Sequence, residues 1–307
     1  MSTTTLPQRK FGLEFEIGND MKIANIGELA KHIKDLSKKH VEYTPSWAQT
    51  VNNHNYWHIK FDRTCGPQGQ VNGTYMDHGW EIASFIASGQ EDLDLIGMVV
   101  ESLKNDCFIN QNCGFHIHCD VSDFTPSQMG VLLARWLKIE PLLCQMVPPF
   151  RVNNKFCRLL GNKRFLKSKK YKSEELWDKL KPTKYGPHEN SQKKVTLNTV
   201  NYAAAVQMVD TSRKTVEFRL PEGTLDKHTV VGWVQFFIRF VETARTAKMP
   251  LSFRRIKTIK TFFNYAGMNP NHQDIDVSLI RAKMFLAERL YRFGDIETKK
   301  QLSSLIF

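Results

Sequence analysis

The sequence contains no long apolar run. No stretch of the 307 residues approaches the about 18 uninterrupted apolar residues of a membrane-spanning helix, so we expect no span. No apolar segment follows Met1, so we expect no secretory signal. Cysteine is also scarce: six residues are too few for a disulfide-stabilised scaffold. These absences lead us to expect a protein of the reducing cytoplasm.

The common nucleotide-binding signatures are missing as well. The sequence has neither a P-loop ending in Gly-Lys-Ser/Thr nor a Gly-x-Gly-x-x-Gly turn followed by a helix. Any nucleotide must therefore be bound by another kind of site. The composition is ordinary for a globular protein, with 41% hydrophobic and 24% charged residues. It excludes a wholly disordered chain, a collagen and a coiled-coil rod.

The positive charge is concentrated in one segment. Residues 151–194 contain 14 basic and 4 acidic residues, which is 10 of the formal net charge of +12. Such an excess suits a polyanion partner. Because the segment is poor in large apolar residues after Leu160, we expect most of Lys163–Lys194 at the surface. A solvated basic loop and a nucleic-acid-binding surface, with Phe165 and Tyr171 among the lysines, are both open.

The order of predicted elements favours an α+β fold. Strands and helices are interspersed without a regular strand–helix–strand rhythm, which favours an antiparallel or mixed sheet. We predict strands at Lys10–Gly18, Asn55–Arg63, Gly79–Ser84, Gly114–Asp120, Val195–Val209 and Lys214–Leu220. We predict helices at Ile26–Lys39, Gln90–Lys104, Thr125–Met146, Ser173–Leu180, Lys227–Lys248, Ser252–Tyr265 and Val277–Arg292.

Three predicted strands share one pattern, in which two functional side chains stand at positions i and i+2 among apolar residues. They are Glu14-Phe15-Glu16, His116-Ile117-His118 and Glu217-Phe218-Arg219. Because side chains alternate along a strand, each functional pair points to one face and the apolar residues point to the other. If these strands are neighbours, one sheet face carries all six groups, and Asp62 and Glu81 add two carboxylates.

This set of side chains indicates bound cations, because crowded carboxylates repel one another without them. Mostly oxygen ligands favour Mg²⁺ or Mn²⁺. Arg219 favours an anionic ligand such as phosphate, so the set has the parts of phosphoryl transfer. A solvated sheet face with ion pairs, a zinc site and a metal-dependent hydrolase are the alternatives. Zinc is disfavoured because Cys113 and Cys119 have the opposite strand parity to the two histidines.

The ordered motifs resemble a known family. FGLEFEIG, HIKFDRTC, GWEIAS, CGFHIHCD, RVNNKFCR, VNYAAAV and VEFRLPEGTLD follow one another between about Phe11 and Lys248. Together they resemble the amidoligases of the glutamine synthetase-like carboxylate–amine ligase superfamily. The resemblance implies a curved antiparallel or mixed sheet with helices on its back face, and ATP with Mg²⁺ or Mn²⁺ on its concave face. It also implies a catalytic domain at 1–250 with a basic insert at 151–194, and a packed helical extension at 251–307.

The resemblance further implies a role for each matching residue. Glu14, Glu16, Glu81, His116 and Glu217 match metal ligands. His118, Arg151, Asn154 and Asn201 match positions that line the nucleotide or substrate pocket. Arg219 matches the arginine that neutralises the transferring phosphoryl group, and Asp62 and Glu81 are both candidates for the catalytic base.

The implied reaction has two steps. A carboxylate attacks the γ-phosphate of ATP, and an amine then converts the acyl phosphate into an amide. The lysine-rich stretch Lys163–Lys172 matches no motif of the family. The acceptor therefore stays open, and a peptide and a modified base are both compatible with a basic segment near a ligase site.

If the basic segment binds a polyanion, its affinity for DNA, RNA or an acidic polymer will fall steeply with salt, because binding releases counterions. Changing Lys167, Lys169, Lys170 and Lys172 together to Ser should flatten that salt dependence in fluorescence anisotropy titrations. The response to Mg·ATP should be unchanged, because the predicted metal ligands lie on other elements. If the wild-type protein binds none of these polymers at low salt, the nucleic-acid hypothesis is wrong.

Overall fold

The structure is a computed structural model of the chain. It describes residues 6–19, 25–44, 54–62, 65, 70–71, 74–75, 79–152, 154–162, 171–183, 194–209, 213–250, 256, 258–268 and 277–305.

The described strands form one large sheet and one short ribbon. They are β1 (Phe11–Asn19), β2 (Val41–Thr44), β3 (Trp57–Asp62), β4 (Gln70–Val71), β5 (Thr74–Tyr75), β6 (Gly79–Ala83), β7 (Cys107–Phe108), β8 (Phe115–Asp120), β9 (Leu197–Asn198) and β10 (Thr215–Phe218). The large sheet has the order β2-β3-β6-β1-β8-β10-β9, with β7 paired to β1, and β4 pairs with β5. β2 and β3 run parallel, whereas β6 pairs antiparallel with both β1 and β3. The predicted α+β class with a mixed sheet is confirmed.

The helices account for most of the remaining described residues. They are α1 (Ile26–Ser37), α2 (Gly89–Ser102), α3 (Pro126–Leu143), α4 (Pro149–Val152), α5 (Ser173–Leu180), α6 (Val200–Val206), α7 (Lys227–Thr246), α8 (Ile259–Tyr265), α9 (Val277–Phe293) and α10 (Ile296–Leu305). Among the described residues, none of these helices combines the length and the apolar character that crossing a membrane requires.

Local signals place the start of α3 where the sequence predicts it. The Thr125 hydroxyl accepts a hydrogen bond from the Gln128 N–H at 3.2 Å, and the Gln128 side-chain oxygen accepts one from the Thr125 N–H at 2.8 Å. Pro126 occupies the first helical position, where the missing N–H costs nothing. This reciprocal capping box satisfies main-chain donors that the first turn leaves free.

The strand predicted at Val195–Val209 is wrong beyond residue 198, because helix α6 follows β9. The Asn198 side-chain oxygen accepts from the Val200 N–H at 2.9 Å and so starts the turn into the helix. The alanines that follow have high helix propensity. Tyr202 is buried against Trp177, with ring centroids 5.3 Å apart, and this tertiary contact holds the helix in place.

Helix α5 is only partly at the surface: its charged residues are exposed, in line with the prediction for most of the segment, but one side of the helix is buried. Leu176, Trp177 and Leu180 are buried, and α5 packs against α3. At Gly130 of α3, a Cβ atom would overlap the main chain of Ser173, so the absent side chain permits this close packing. These three apolar residues form one stripe along the helix, and the lysine-rich composition of the segment gave no indication of it. Residues 163–170 and 184–193 lie outside the described part of the chain.

Internal contacts divide the chain into two compact units. The larger unit comprises Met1–Pro7, His118–Leu220 and Gly232–Phe307, and the smaller unit comprises Gln8–Ile117 and Pro221–Val231. The division crosses β8 and α7 rather than residue 250, so the predicted domain boundary stays a prediction. In the larger unit, α9 packs against the turn at 144–146 that follows α3.

Aromatic packing confirms that the functional pairs and their apolar neighbours face opposite ways. In the smaller unit, Phe15 stacks on Phe115 with ring centroids 4.9 Å apart. In the larger unit, Phe218 stacks on Phe237 of α7 at 4.2 Å and also contacts Trp136 of α3 at 5.3 Å. Within the larger unit, α3 and α7 therefore cover the face of β10 that is opposite its polar pair.

A buried carboxylate links α3 to the loops that lead into β9. Glu140 accepts hydrogen bonds from the Leu160 N–H at 2.8 Å, the Gly161 N–H at 2.7 Å and the Trp136 indole at 3.2 Å, as well as from the Thr196 hydroxyl. Burial raises the pKa of Glu140, and these hydrogen bonds oppose that shift. The carboxylate thus satisfies four donors that burial would otherwise leave unpaired.

We expect Glu140→Gln to lower the free energy of unfolding by about 1–3 kcal/mol, because the amide nitrogen would face donors instead of accepting from them. Urea unfolding monitored by circular dichroism measures the change. The exposed Glu101→Gln variant is the control and should stay within about 0.5 kcal/mol of wild type. Equal stability of the two variants would contradict the role assigned to Glu140.

Candidate active site

Three neighbouring strands of the smaller unit bring charged side chains into one row. Glu16 of β1 lies opposite Glu81 of β6, and Glu81 lies opposite Lys60 of β3. Residues directly opposite each other project from the same face of a sheet. The Lys60 Nζ atom lies 2.6 Å from Oε1 of Glu81. The row therefore begins with the carboxylate of Glu16 on β1 and ends with the ion pair between Glu81 of β6 and Lys60 of β3.

Burial and neighbouring charges determine the protonation of this ion pair. Burial raises the pKa of Glu81 to about 7, and the nearby Glu14 carboxylate adds to the shift while Lys60 opposes it. Burial alone would lower the pKa of Lys60, but the negative charges of Glu81, Glu14 and Asp62 outweigh it and raise that pKa. Lys60 thus stays charged and offsets part of the crowding among the carboxylates.

The first histidine of β8 lies between the two carboxylates of β1. Nδ1 of His116 is 3.4 Å from Oε2 of Glu14, and Nε2 is 3.6 Å from Oε1 of Glu16. The Gly114 N–H donates to the other oxygen of Glu16 at 2.6 Å. His116 is buried. The predicted convergence of Glu14, Glu16 and His116 is therefore present within the smaller unit.

A second group in the same unit forms around the end of β3. One ligand atom each from Glu16, Asp62 and Cys65 lies within 4.8 Å of the others. Gly79 makes this possible, because a Cβ atom there would overlap the Cβ of Cys65. A hydrogen bond with Cys113, together with burial, raises the pKa of the Cys65 thiol. A protonated thiol is a poor metal ligand, so this group offers only carboxylate oxygens as donors, and Glu16 also belongs to the cluster around His116.

The larger unit contains a second polar cluster, centred on the buried Glu217. Arg219 forms an ion pair with Oε1 of Glu217, and Nε2 of His118 lies 4.0 Å from the same oxygen. Asn198, opposite Glu217 in the β9–β10 pair, donates its side-chain N–H to Oε2 at 2.6 Å. Both carboxylate oxygens therefore have partners, which limits the orientations open to Glu217 and Arg219.

Arg151 supports this cluster from the main-chain side. It is buried, and its Nη2 donates to the carbonyl oxygen of Arg219 at 2.7 Å while its Nε donates to that of Leu220 at 3.3 Å. The Arg219 N–H in turn donates to the carbonyl oxygen of Thr196 at 3.0 Å. These bonds fix the backbone that carries Arg219. The pocket-lining role predicted for Arg151 stays a prediction.

The two asparagines of the predicted set make local contacts. The side-chain oxygen of Asn154 accepts from the Phe156 N–H at 2.8 Å and stabilises a turn. The side chain of Asn201 donates to the Thr215 hydroxyl at 3.0 Å and joins α6 to β10. Their predicted roles in a nucleotide or substrate pocket stay predictions.

The structure adds two residues to the predicted set. Lys60 stands two positions before Asp62 and so repeats the i, i+2 pattern of the other strands. This pattern could have identified Lys60 from the sequence. No such pattern marks Asn198, because only the pairing of β9 with β10 brings it to Glu217.

The zinc alternative gains no support. Among the described residues, no group that could hold a metal brings Cys113 or Cys119 together with the histidines of β8. Cys113 and Cys119 are both buried, as expected for positions of the opposite strand parity.

Gly79→Ala is expected to lower the free energy of unfolding by about 1–3 kcal/mol, because the new methyl group would overlap the main-chain oxygen of Ile17 as well as Cys65. Gly12→Ala in β1 is the matched control: a Cβ there meets nothing within 4 Å, so the change should cost less than about 0.5 kcal/mol. Chemical denaturation of both variants provides the measurement. Similar losses would show that the close approach at Gly79 does not constrain the site.

Comparisons with known proteins give a family and a distant structural likeness. The sequence profile of the family described as "Putative amidoligase enzyme" matches residues 7–241. Among solved structures, the chain is similar to a bifunctional glutathione synthetase from Pasteurella multocida, with 12% identity and a TM-score of 0.40 over 97% of this chain and 48% of that one. The chain thus spans about half the length of that protein. No curated protein matches the chain in sequence.

Proposed function

Because the chain belongs to the amidoligase family over residues 7–241, we propose that it is an ATP-dependent ligase that joins a carboxylate to an amine. The observation that carries the proposal is the pair of carboxylates, Glu14 and Glu16, that flank the buried imidazole of His116 within 3.6 Å. Such a donor set suits a divalent cation that is bound together with a nucleoside triphosphate.

The donor chemistry of the described residues fits Mg²⁺ or Mn²⁺. The residues that would hold cations are Glu14, Glu16, Glu81 and His116 in the smaller unit and, separately, Glu217 in the larger unit. The raised pKa of Glu81 reflects crowding and burial, which a bound cation would relieve. When bound, Mg²⁺ or Mn²⁺ screens the phosphate oxygens of the nucleotide and reduces their repulsion of an attacking carboxylate.

Arg219 serves the first step of the proposed reaction. An oxygen of the substrate carboxylate attacks the γ-phosphorus of ATP, and the bond to the β,γ-bridging oxygen breaks as ADP leaves. The guanidinium of Arg219 neutralises negative charge on the transferring phosphoryl group. Its ion pair with Glu217 and the support of Arg151 hold it in one orientation. His118, beside Glu217, donates a hydrogen bond to a phosphate oxygen.

Asp62 serves the second step. The amine nitrogen attacks the acyl carbon, the bond to the phosphate oxygen breaks, and the amine proton passes to the Asp62 carboxylate. We assign this proton to Asp62 rather than to Glu81 because Lys60 holds Glu81 at 2.6 Å and Glu81 is buried, whereas Asp62 is partly exposed. Water must be excluded meanwhile, because an acyl phosphate hydrolyses readily.

The deciding experiment is a product assay with purified protein, Mg·ATP and panels of carboxylates and amines. The proposal expects ADP and phosphate, formed only when a carboxylate is present, together with an amide product. AMP and pyrophosphate would overturn the acyl-phosphate route. Phosphate release that is independent of any carboxylate would favour the metal-dependent hydrolase instead.

Arg219→Lys should reduce turnover by about 10²-fold or more, because lysine keeps the charge but loses the planar fork. Steady-state ADP formation measures the effect, and circular dichroism verifies that the fold is kept. Arg213→Lys changes an exposed arginine at the start of the same strand region and should leave turnover unaltered. Unchanged turnover in Arg219→Lys would make Arg219 a structural ion-pair partner only.

Mg·ATP should raise the melting temperature, because a ligand that binds the folded state stabilises it by mass action. Glu14→Gln and Glu217→Gln should each reduce that increase, since each removes a charged ligand. The exposed Glu101→Gln is the control and should keep the full increase. Stabilisation by Zn²⁺ alone, without any response to Mg·ATP, would contradict the assignment of a hard cation.

A further inference from the structure

Helix α9 has two apolar faces. One face is buried in the larger unit: Phe285 packs edge-on against Trp233 of α7, with ring centroids 5.3 Å apart, and Leu286 and Leu290 are buried beside it. The other face points to solvent. It consists of Val277, Ile280, Met284, Ala287 and Tyr291, which we call the α9 seam.

The α9 seam has the spacing of a helix-pairing surface. Its residues follow one another at intervals of three, four, three and four, which are the a and d positions of a heptad repeat. Val277, Ile280, Met284 and Tyr291 are 44%, 47%, 66% and 69% exposed. Single exposed apolar residues are common on protein surfaces, but a row of four, with the partly exposed Ala287 between the last two, marks a place where another surface docks.

We propose that the α9 seam is the interface of a symmetric dimer, in which α9 packs antiparallel against α9 of a second copy of this chain. Charges beside the seam support this occupant. Arg281 and Glu288 occupy the two e positions that flank the seam, and residues at e positions face each other in antiparallel pairs. The two-fold axis brings Arg281 to Glu288 of the partner subunit and repeats that pair, so the surface is complementary to itself.

Side-chain size also favours the antiparallel arrangement. When Met284 lies opposite the partner's Ala287, a long side chain fills the space beside a short one, and Ile280 lies opposite the partner's Tyr291. A parallel pair would instead place each Ala287 against its own copy and leave a gap. It would also bring Lys283, rather than Arg281, towards the partner's Glu288. The antiparallel register therefore satisfies both size and charge.

The size of the α9 seam limits the strength of the dimer. One helix pair covers less than the about 800 Å² that each partner buries in a standard interface. We therefore expect a dissociation constant in the micromolar range and a monomer–dimer equilibrium that depends on concentration.

Sedimentation velocity from about 2 to about 200 μM tests the dimer. The wild-type protein should shift from monomer to dimer across this range, and Met284→Lys should raise the dissociation constant at least about tenfold. Met98→Lys is the matched control, because Met98 is a 46% exposed methionine on α2, and it should dimerise like wild type. Circular dichroism verifies that each variant is folded. A wild-type monomer throughout, or an unchanged dimer in Met284→Lys, overturns the proposal.

A mixing experiment tests the antiparallel arrangement. Arg281→Glu and Glu288→Arg should each weaken self-association, because each variant places like charges across the interface. An equimolar mixture of the two should associate more tightly than either alone, since every acidic e position then faces a basic one. In a parallel pair the mixture would gain nothing. A mixture that associates no more tightly than its components overturns the antiparallel interface.

Discussion

Repulsion between carboxylates is the constraint on which the arrangement of both polar clusters depends. In the smaller unit, Glu14, Glu16 and Glu81 project from neighbouring strands, and Lys60 and His116 offset part of their charge. The pKa of Glu81 shows that the compensation is incomplete. Repulsion among these carboxylates lowers the stability of the folded chain when no cation is bound, and a bound cation would relieve it. Stability and cation binding are therefore linked at these residues.

The same constraint explains the shape of the cluster in the larger unit. Glu217 is buried, and each of its oxygens is held, one by Arg219 and the other by Asn198. A buried carboxylate with partners on both oxygens has little freedom to reorient. The ion pair with Glu217 therefore restrains the Arg219 side chain, and bonds to Arg151 and Thr196 restrain its main chain. Its position is a property of the fold of this unit and does not depend on a single side-chain contact.

The parts of these clusters that follow from strand alternation were predictable from sequence. Because side chains alternate along a strand, Glu14 and Glu16 are predicted on one face of the sheet and Phe15 on the other. The stacking of Phe15 on Phe115 confirms this. Register between distant strands was not predictable, because Asn198 reaches Glu217 only through the pairing of β9 with β10. Helix α6 was mistaken for a strand because its valines and tyrosine favour strands locally, while packing against Trp177 favours the helix.

The hydrogen bonds of Arg151 lower the conformational cost of ligand binding at Arg219. Its guanidinium binds the carbonyl oxygens of Arg219 and Leu220 when the chain folds, before any substrate arrives. The segment that carries Arg219 is therefore ordered in advance, and little conformational entropy remains to be lost on binding. Arg151 also places a second, buried positive charge against the main chain that carries Arg219. In the proposed reaction, this fixed charge would add to the electrostatic stabilisation that Arg219 gives to the phosphoryl group, and it would need no rearrangement during the reaction.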